Sequence, residues 1–152
     1  MLSQLSIRDI VLIDRLDLGF ERGLSVLTGE TGAGKSILLD SLSLALGARG
    51  DGGLVRHDEE RGQVTAVFDE ADEGVLLIDE ASLGLSPALA TVVFEVVKRI
   101  CADGTTVLIV EQNVGILPYA DRALIMEQGT IVYEGVGDEI QSANLRETYL
   151  GT

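Results

Sequence analysis

The sequence predicts an α/β three-layer sandwich built around a phosphate-binding loop, with an added antiparallel β portion. Three observations carry this expectation. The stretch "LTGETGAGKSILLD" places Gly29, four residues, then Gly34, Lys35 and Ser36 between an apolar strand and a helix. Two further apolar runs, "VLLIDE" and "TTVLIVEQ", end in polar residues, as buried parallel strands do at a ligand-binding edge. The N-terminal strands and an alternating run, "ALIMEQGTIVYEG", around a Gln128–Gly129 turn supply the antiparallel part.

The elements follow in order. "LSIRDIVLIDRLDLGF" reads as two short strands or one bent one, and "LSVLTG" as a short buried strand. "KSILLDSLSLALG" is a mostly apolar helix that Gly47 terminates. "GARGDGGLVRHDEERG" is a polar loop, and "GQVTAVFDE" a further strand. "GVLLIDE" is a compact apolar strand. "SPALATVVFEVVKRICADG" is a helix with Ser86 as N-cap, Pro87 in the first turn and Gly104 past its end. "TTVLIVEQ" is a second buried strand, and "GDEIQSANLRETYLG" closes the chain as a short amphipathic helix.

A chain of 152 residues suits one domain, and 46% hydrophobic with only 4% aromatic residues suits a core of Leu, Val, Ile and Ala. The formal charge of −14 makes the far field repel polyanions. Nucleic acid is therefore an unexpected partner, and any nucleotide must be held by local contacts. The single cysteine, Cys101, allows no internal disulfide and fits a reducing, cytoplasmic setting. No apolar run approaches membrane-spanning length and the N-terminus lacks a signal peptide's pattern, so direct membrane insertion is not expected.

The loop residues Gly29, Glu30, Thr31, Gly32, Ala33, Gly34, Lys35, Ser36 and Ile37 are the candidate nucleotide-binding set. In this pattern backbone N–H groups cradle phosphates, lysine reaches the terminal ones and the hydroxyl joins Mg²⁺. The glycines permit backbone conformations and a close ligand approach that a Cβ would obstruct, while the following helix aims its positive end at the anion. Asp79, ending the apolar strand, can hold Mg²⁺ through water, which with Ser36 completes the metal set. Glu80 would face the γ-phosphate and polarise the attacking water. The expected cofactors are ATP or ADP with Mg²⁺. Two acids after an apolar run would on their own read as a solvated strand end; the loop upstream changes that reading.

Residues 1–69, with "GLSVLTGETGAGKSILLDSLSLALGARGD" and "GLVRH", resemble the N-terminal head of the bacterial DNA repair ATPase RecN. Residues 75–152, with "VLLIDEASLGLSP", "GTTVLIVEQN" and "ADRALIMEQGTIVYEG", instead resemble the C-terminal part of LivF-type ATP-binding subunits of branched-chain amino acid ABC transporters. Both families share the ABC-type ATPase core, so the chain resembles a chimera joined across residues 70–74. The resemblance implies that Gly29, Gly34, Lys35 and Ser36 form the Walker A loop, and that Asp79 and Glu80 are the Walker B aspartate and catalytic glutamate. It places Gln112 at the switch position. "SLGLSP" stands at the D-loop with Ser86 in place of the usual aspartate, and Ala81 replaces a proline. It also allows a homodimer, and implies a switch strand "TVLIVEQ" lying between the other two parallel strands.

The span from Lys35 to Asp79 is too short for the family's Q-loop, helical subdomain and signature motif, so efficient turnover by a homodimer is not expected. Gln63 reads as a strand residue rather than a Q-loop glutamine. His57 sits in a polar loop with no second histidine or nearby cysteine and carries no metal role. Asp69, Glu70, Asp72 and Glu73 read as a solvated charge run. Three functions remain open: ATP or ADP binding with little hydrolysis, a structural chimera without a nucleotide function, and an ATPase component in DNA repair or amino acid transport.

Overall fold

A computed structural model describes residues 1–69 and 74–140. Most of the proposed junction, with its acids Glu70, Asp72 and Glu73, lies outside the described residues, as does the expected terminal helix beyond Ile140.

The strands β1 (Leu2–Ile10) and β2 (Ile13–Gly19) form an antiparallel hairpin. β3 (Leu24–Thr28) leads through the glycine-rich loop into α1 (Lys35–Ala45). At the end of α1, Gly47 takes φ +99 and its N–H reaches Leu44, while Ala48 N–H reaches Ser43. This is the left-handed stop expected of a glycine after a helix. β4 (Gln63–Phe68) pairs antiparallel with β1, completing a three-stranded sheet in the order β2-β1-β4.

The second half supplies β5 (Val75–Asp79), α2 (Pro87–Ala102), β6 (Thr106–Val110), the hairpin β7 (Arg122–Glu127) and β8 (Thr130–Gly135), and the short α3 (Gly137–Ile140). Ser86 caps α2 by accepting from Leu89 N–H at 3.4 Å, with Pro87 in its first turn. Gln128 and Gly129 both adopt positive φ, +46 and +82, in the β7–β8 turn. β3 joins these strands in a five-stranded sheet ordered β5-β6-β3-β7-β8. The switch strand β6 therefore pairs in parallel with both β3 and β5, as the family resemblance requires.

Alternation along the central strands builds two cores. Leu24, Val26, Val107, Ile109, Ala123 and Ile125 face α2, whose Ala90, Phe94 and Val97 cover them. Leu27, Leu108, Val110, Leu124 and Met126 face Leu38 and Leu42 of α1 and the inner face of the antiparallel sheet. The result is a three-layer α/β fold with an antiparallel portion, and no helical subdomain is present among the described residues.

One expectation is corrected. The sequence predicts a buried strand here, but among the described residues β5 pairs only with β6, its residues are half-buried or exposed, and Leu76 keeps 38% of its surface. Its apolar composition matches that of buried β6, yet no described strand or helix covers its outer edge. Composition reports what a strand could bury, whereas its place in the sheet decides what it does bury.

Candidate nucleotide site

The site lies where β3, β5 and β6 end. α1 starts at Lys35 behind Gly34, which holds φ +104; no side chain caps this helix and no acid lies in its first turn. Its free N–H groups and positive end therefore face the loop unneutralised. The Lys35 side chain is 6% exposed and its ammonium donates to the carbonyl of Gly29 and, at 3.0 Å, to that of Glu30. Burial pushes its pKa below the usual lysine value, opposed by the charges of Glu80, Asp79 and Glu30. The loop thus encloses a desolvated cation that two neutral carbonyls satisfy only in part.

The glycines divide the work differently from the sequence-based reading. A Cβ on Gly29 would stand 2.2 Å from the carbonyl oxygen of Met126, so this glycine is required by the packing of the loop on β7. Gly32 has open space around it but holds φ +84, and Gly34 packs against Met126, Gly129 and Leu12. Close ligand approach therefore accounts for Gly32 better than for Gly29.

A cavity of about 360 Å³ opens over the loop, lined by Thr31, Gly32, Lys35, Ser36 and Ile37 on one side and by Glu80 and Gln112 on the other. Gln112 Nε2 donates to Glu80 Oε1 at 3.0 Å and lies 3.4 Å from Thr31 Oγ1. Glu80 holds φ +45, which costs about 1–3 kcal/mol for a residue with a side chain. Its N–H is anchored on the carbonyl of Val110 at 2.8 Å. Asp79 ends β5 exposed, and its charge reaches Lys35, but it does not line the cavity. Ala33 is buried beneath the loop, its carbonyl accepting from Gly129 N–H at 2.8 Å.

Among the described residues, no group of three or more His, Cys, Asp or Glu could hold a metal ion without other ligands. Ser36 lines the cavity with a hydroxyl and Asp79 ends β5 outside it with a carboxylate, both oxygen donors of the kind a hard divalent cation takes. Two residues missed by the sequence reading bear on the cavity, one lining it and one behind it. Leu12, in the β1–β2 turn, lines it beside Gly34. Glu111 lies buried behind Gln112; an acid ending an otherwise apolar strand was the available signal. Gln63 lies in β4, bonded to Thr65, and the exposed His57 pairs with Asp58.

A family profile described as AAA domain matches residues 4–93, taking in the loop, Asp79 and Glu80. The chain belongs to the AAA domain family. Within it, this chain has a nucleotide-binding phosphate-loop ATPase core. Its N-terminal region resembles DNA repair protein RecN: it is 50% identical to that of Bacillus subtilis over 68 residues and 46% identical to that of Haemophilus influenzae over 68 residues. These matches cover 45% of this chain and only 12% of each relative. Among solved structures, cbiO1 from Clostridium perfringens, part of the ABC transporter complex cbiONQ, superposes with a TM-score of 0.69 at 12% identity over 95% of this chain and 93% of that one. The ADP conformation of an ATP-binding cassette of an ABC transporter gives 0.68 at 16% identity, covering all of both chains. At such identities these structures establish the fold. No helix among the described residues is long and apolar enough to cross a membrane.

Proposed function

We propose that residues 1–152 form one domain that binds ATP or ADP with Mg²⁺ and hydrolyses ATP very slowly. The observation that carries this reading is the Lys35 ammonium, buried at the uncapped start of α1 with two carbonyls as its hydrogen-bond partners among the described residues. An anion seated there would complete the lysine's coordination and meet the helix's free N–H groups. Gly29 to Ile37 hold the phosphates, the Ser36 hydroxyl and Asp79 hold the metal, Glu80 orients water and Gln112 donates to the γ-phosphate. Mg²⁺, when bound, neutralises phosphate charge. The absence of a Q-loop and signature motif between Lys35 and Asp79 supports slow turnover, because the trans half of a composite site has no source in this chain.

Differential scanning with Mg·ATP and Mg·ADP tests the reading. Ligand at 100 times its Kd contributes about 2.7 kcal/mol, and Lys35→Ala should abolish the shift in Tm. An unchanged shift would place the nucleotide elsewhere.

The sequence match to RecN favours a second reading, in which a head of this kind serves DNA repair; the net charge of −14 disfavours non-specific DNA contact by these residues themselves. The split resemblance, RecN-like over 1–69 and LivF-like over 75–152 with a junction at 70–74, supports a chimeric origin. A fold hybrid without a nucleotide function would show no Tm shift with either nucleotide.

A further inference from the structure

Glu111 is 2% exposed, yet among the described residues no cation pairs with it. Its carboxylate is satisfied by backbone alone. Oε2 accepts from Ser82 N–H at 3.1 Å, and Oε1 accepts from Gln112 N–H and Asn113 N–H, each at 3.1 Å. The two oxygens thus bind different loops. Ser82 belongs to the turn after β5 that starts at Glu80 and is closed by Leu83 N–H on the Glu80 carbonyl at 3.1 Å. Gln112 and Asn113 begin the loop after β6. Bonds to an ionised acceptor are roughly twice as strong as neutral ones, and a buried carboxylate tolerates few alternative arrangements.

We propose that Glu111 is a positioning residue whose carboxylate clamps the Glu80 turn to the Gln112 loop, so that both side chains meet the γ-phosphate in one fixed arrangement. This rests on the nucleotide reading for its consequence, but the clamp itself does not. Because the phosphate loop holds the part common to ATP and ADP, the clamp acts on the γ-phosphate alone. Glu111→Gln is the informative variant: its carbonyl can still serve Gln112 and Asn113, while its NH₂ offers Ser82 N–H no acceptor.

The test measures Mg·ATP and Mg·ADP affinity by calorimetry for the wild type, Glu111→Gln, Gln112→Ala and the double variant. ATP binding should weaken about tenfold in Glu111→Gln, equivalent to about 1.4 kcal/mol, with ADP binding unchanged within about twofold. In the Gln112→Ala background the same change should cost nothing more, because coupled residues are not additive. Equal losses for ATP and ADP, or a full additive loss in the double variant, would overturn the proposal. Hydrogen exchange on the ligand-free wild type decides it independently of nucleotide binding and of how the variants fold. The amides of Ser82, Gln112 and Asn113 should exchange slowly and together; an open-loop rate at Ser82 would overturn the clamp.

Discussion

Gln112 Nε2 stands 3.0 Å from Glu80 Oε1, a hydrogen bond between the ends of β6 and β5 that sets the switch glutamine against the candidate catalytic carboxylate. The two polar tips satisfy each other above the loop. On the proposed nucleotide reading, a γ-phosphate between them would take over the Gln112 donor and free the carboxylate for a water molecule.

Hydrolysis should nevertheless stay near background. Phosphoryl transfer depends on charges placed around the γ-phosphate, and a group supplied in trans is worth about 10³–10⁵ in rate. Gln112 donates a hydrogen bond but carries no positive charge. Phosphate release should be barely above a no-enzyme control, and Glu80→Gln should change it little. A turnover of about one per second that vanished in Glu80→Gln would show a complete composite site.

Nucleotide binding should weaken at alkaline pH. Burial lowers the Lys35 pKa from 10.5, so between the lowered value and 10.5 the unfolded chain holds more protons than the folded one. The contribution of Lys35 to stability should therefore rise with pH through that window, against the opposite contribution of Cys101, whose thiol pKa is raised by burial. Bound phosphate favours the charged lysine, so ATP affinity should fall across the same range. The stability of the wild type relative to Lys35→Met should grow across that window; wild-type affinity that stayed flat from neutral pH to pH 10.5 would contradict this.

Gly29 and Gly32 should respond differently to alanine. At Gly29 the new Cβ meets the Met126 carbonyl at 2.2 Å, and the cost should be about 3 kcal/mol or more. At Gly32 space is open and only the φ of +84 is strained, at about 1–2 kcal/mol. Urea unfolding separates the two, and equal losses would mean that the loop does not pack on β7 as described.

The exposed strand edges should govern self-association. Leu76 on β5 and Phe68 on β4, the latter 57% exposed, lie on edge strands of the two sheets. Leu76→Lys with Phe68→Lys should reduce concentration-dependent association in light scattering while changing stability by no more than about 0.5 kcal/mol each. A large loss of Tm would show that these side chains are packed.

Much of this architecture was legible in residue order because local chemistry and global placement agree. Gly47 and Gly104 stop helices in left-handed turns, Ser86 caps α2, and β3 and β6 are buried along their whole length as their apolar runs imply. The phosphate loop was legible for the same reason, since its residue types have few other uses at that spacing. What escaped depended on contacts between distant segments. The exposure of β5 follows from its position at the sheet edge, the need for Gly29 from a carbonyl on β7, and the left-handed backbone at Glu80 from its anchorage on Val110. None of these partners is near in sequence, so no local pattern announces them.

The strand order has one further consequence. β3, from the first half, is inserted between β6 and β7 of the second, with Leu24 opposite Val107 and Ser25 opposite Arg122. Neither half can therefore complete the central sheet by itself: the second alone would leave a slot one strand wide through both cores, and the first alone would expose an apolar strand on both edges. Such interleaving makes the two segments depend on each other for a complete sheet and closes that sheet only through contacts distant in sequence.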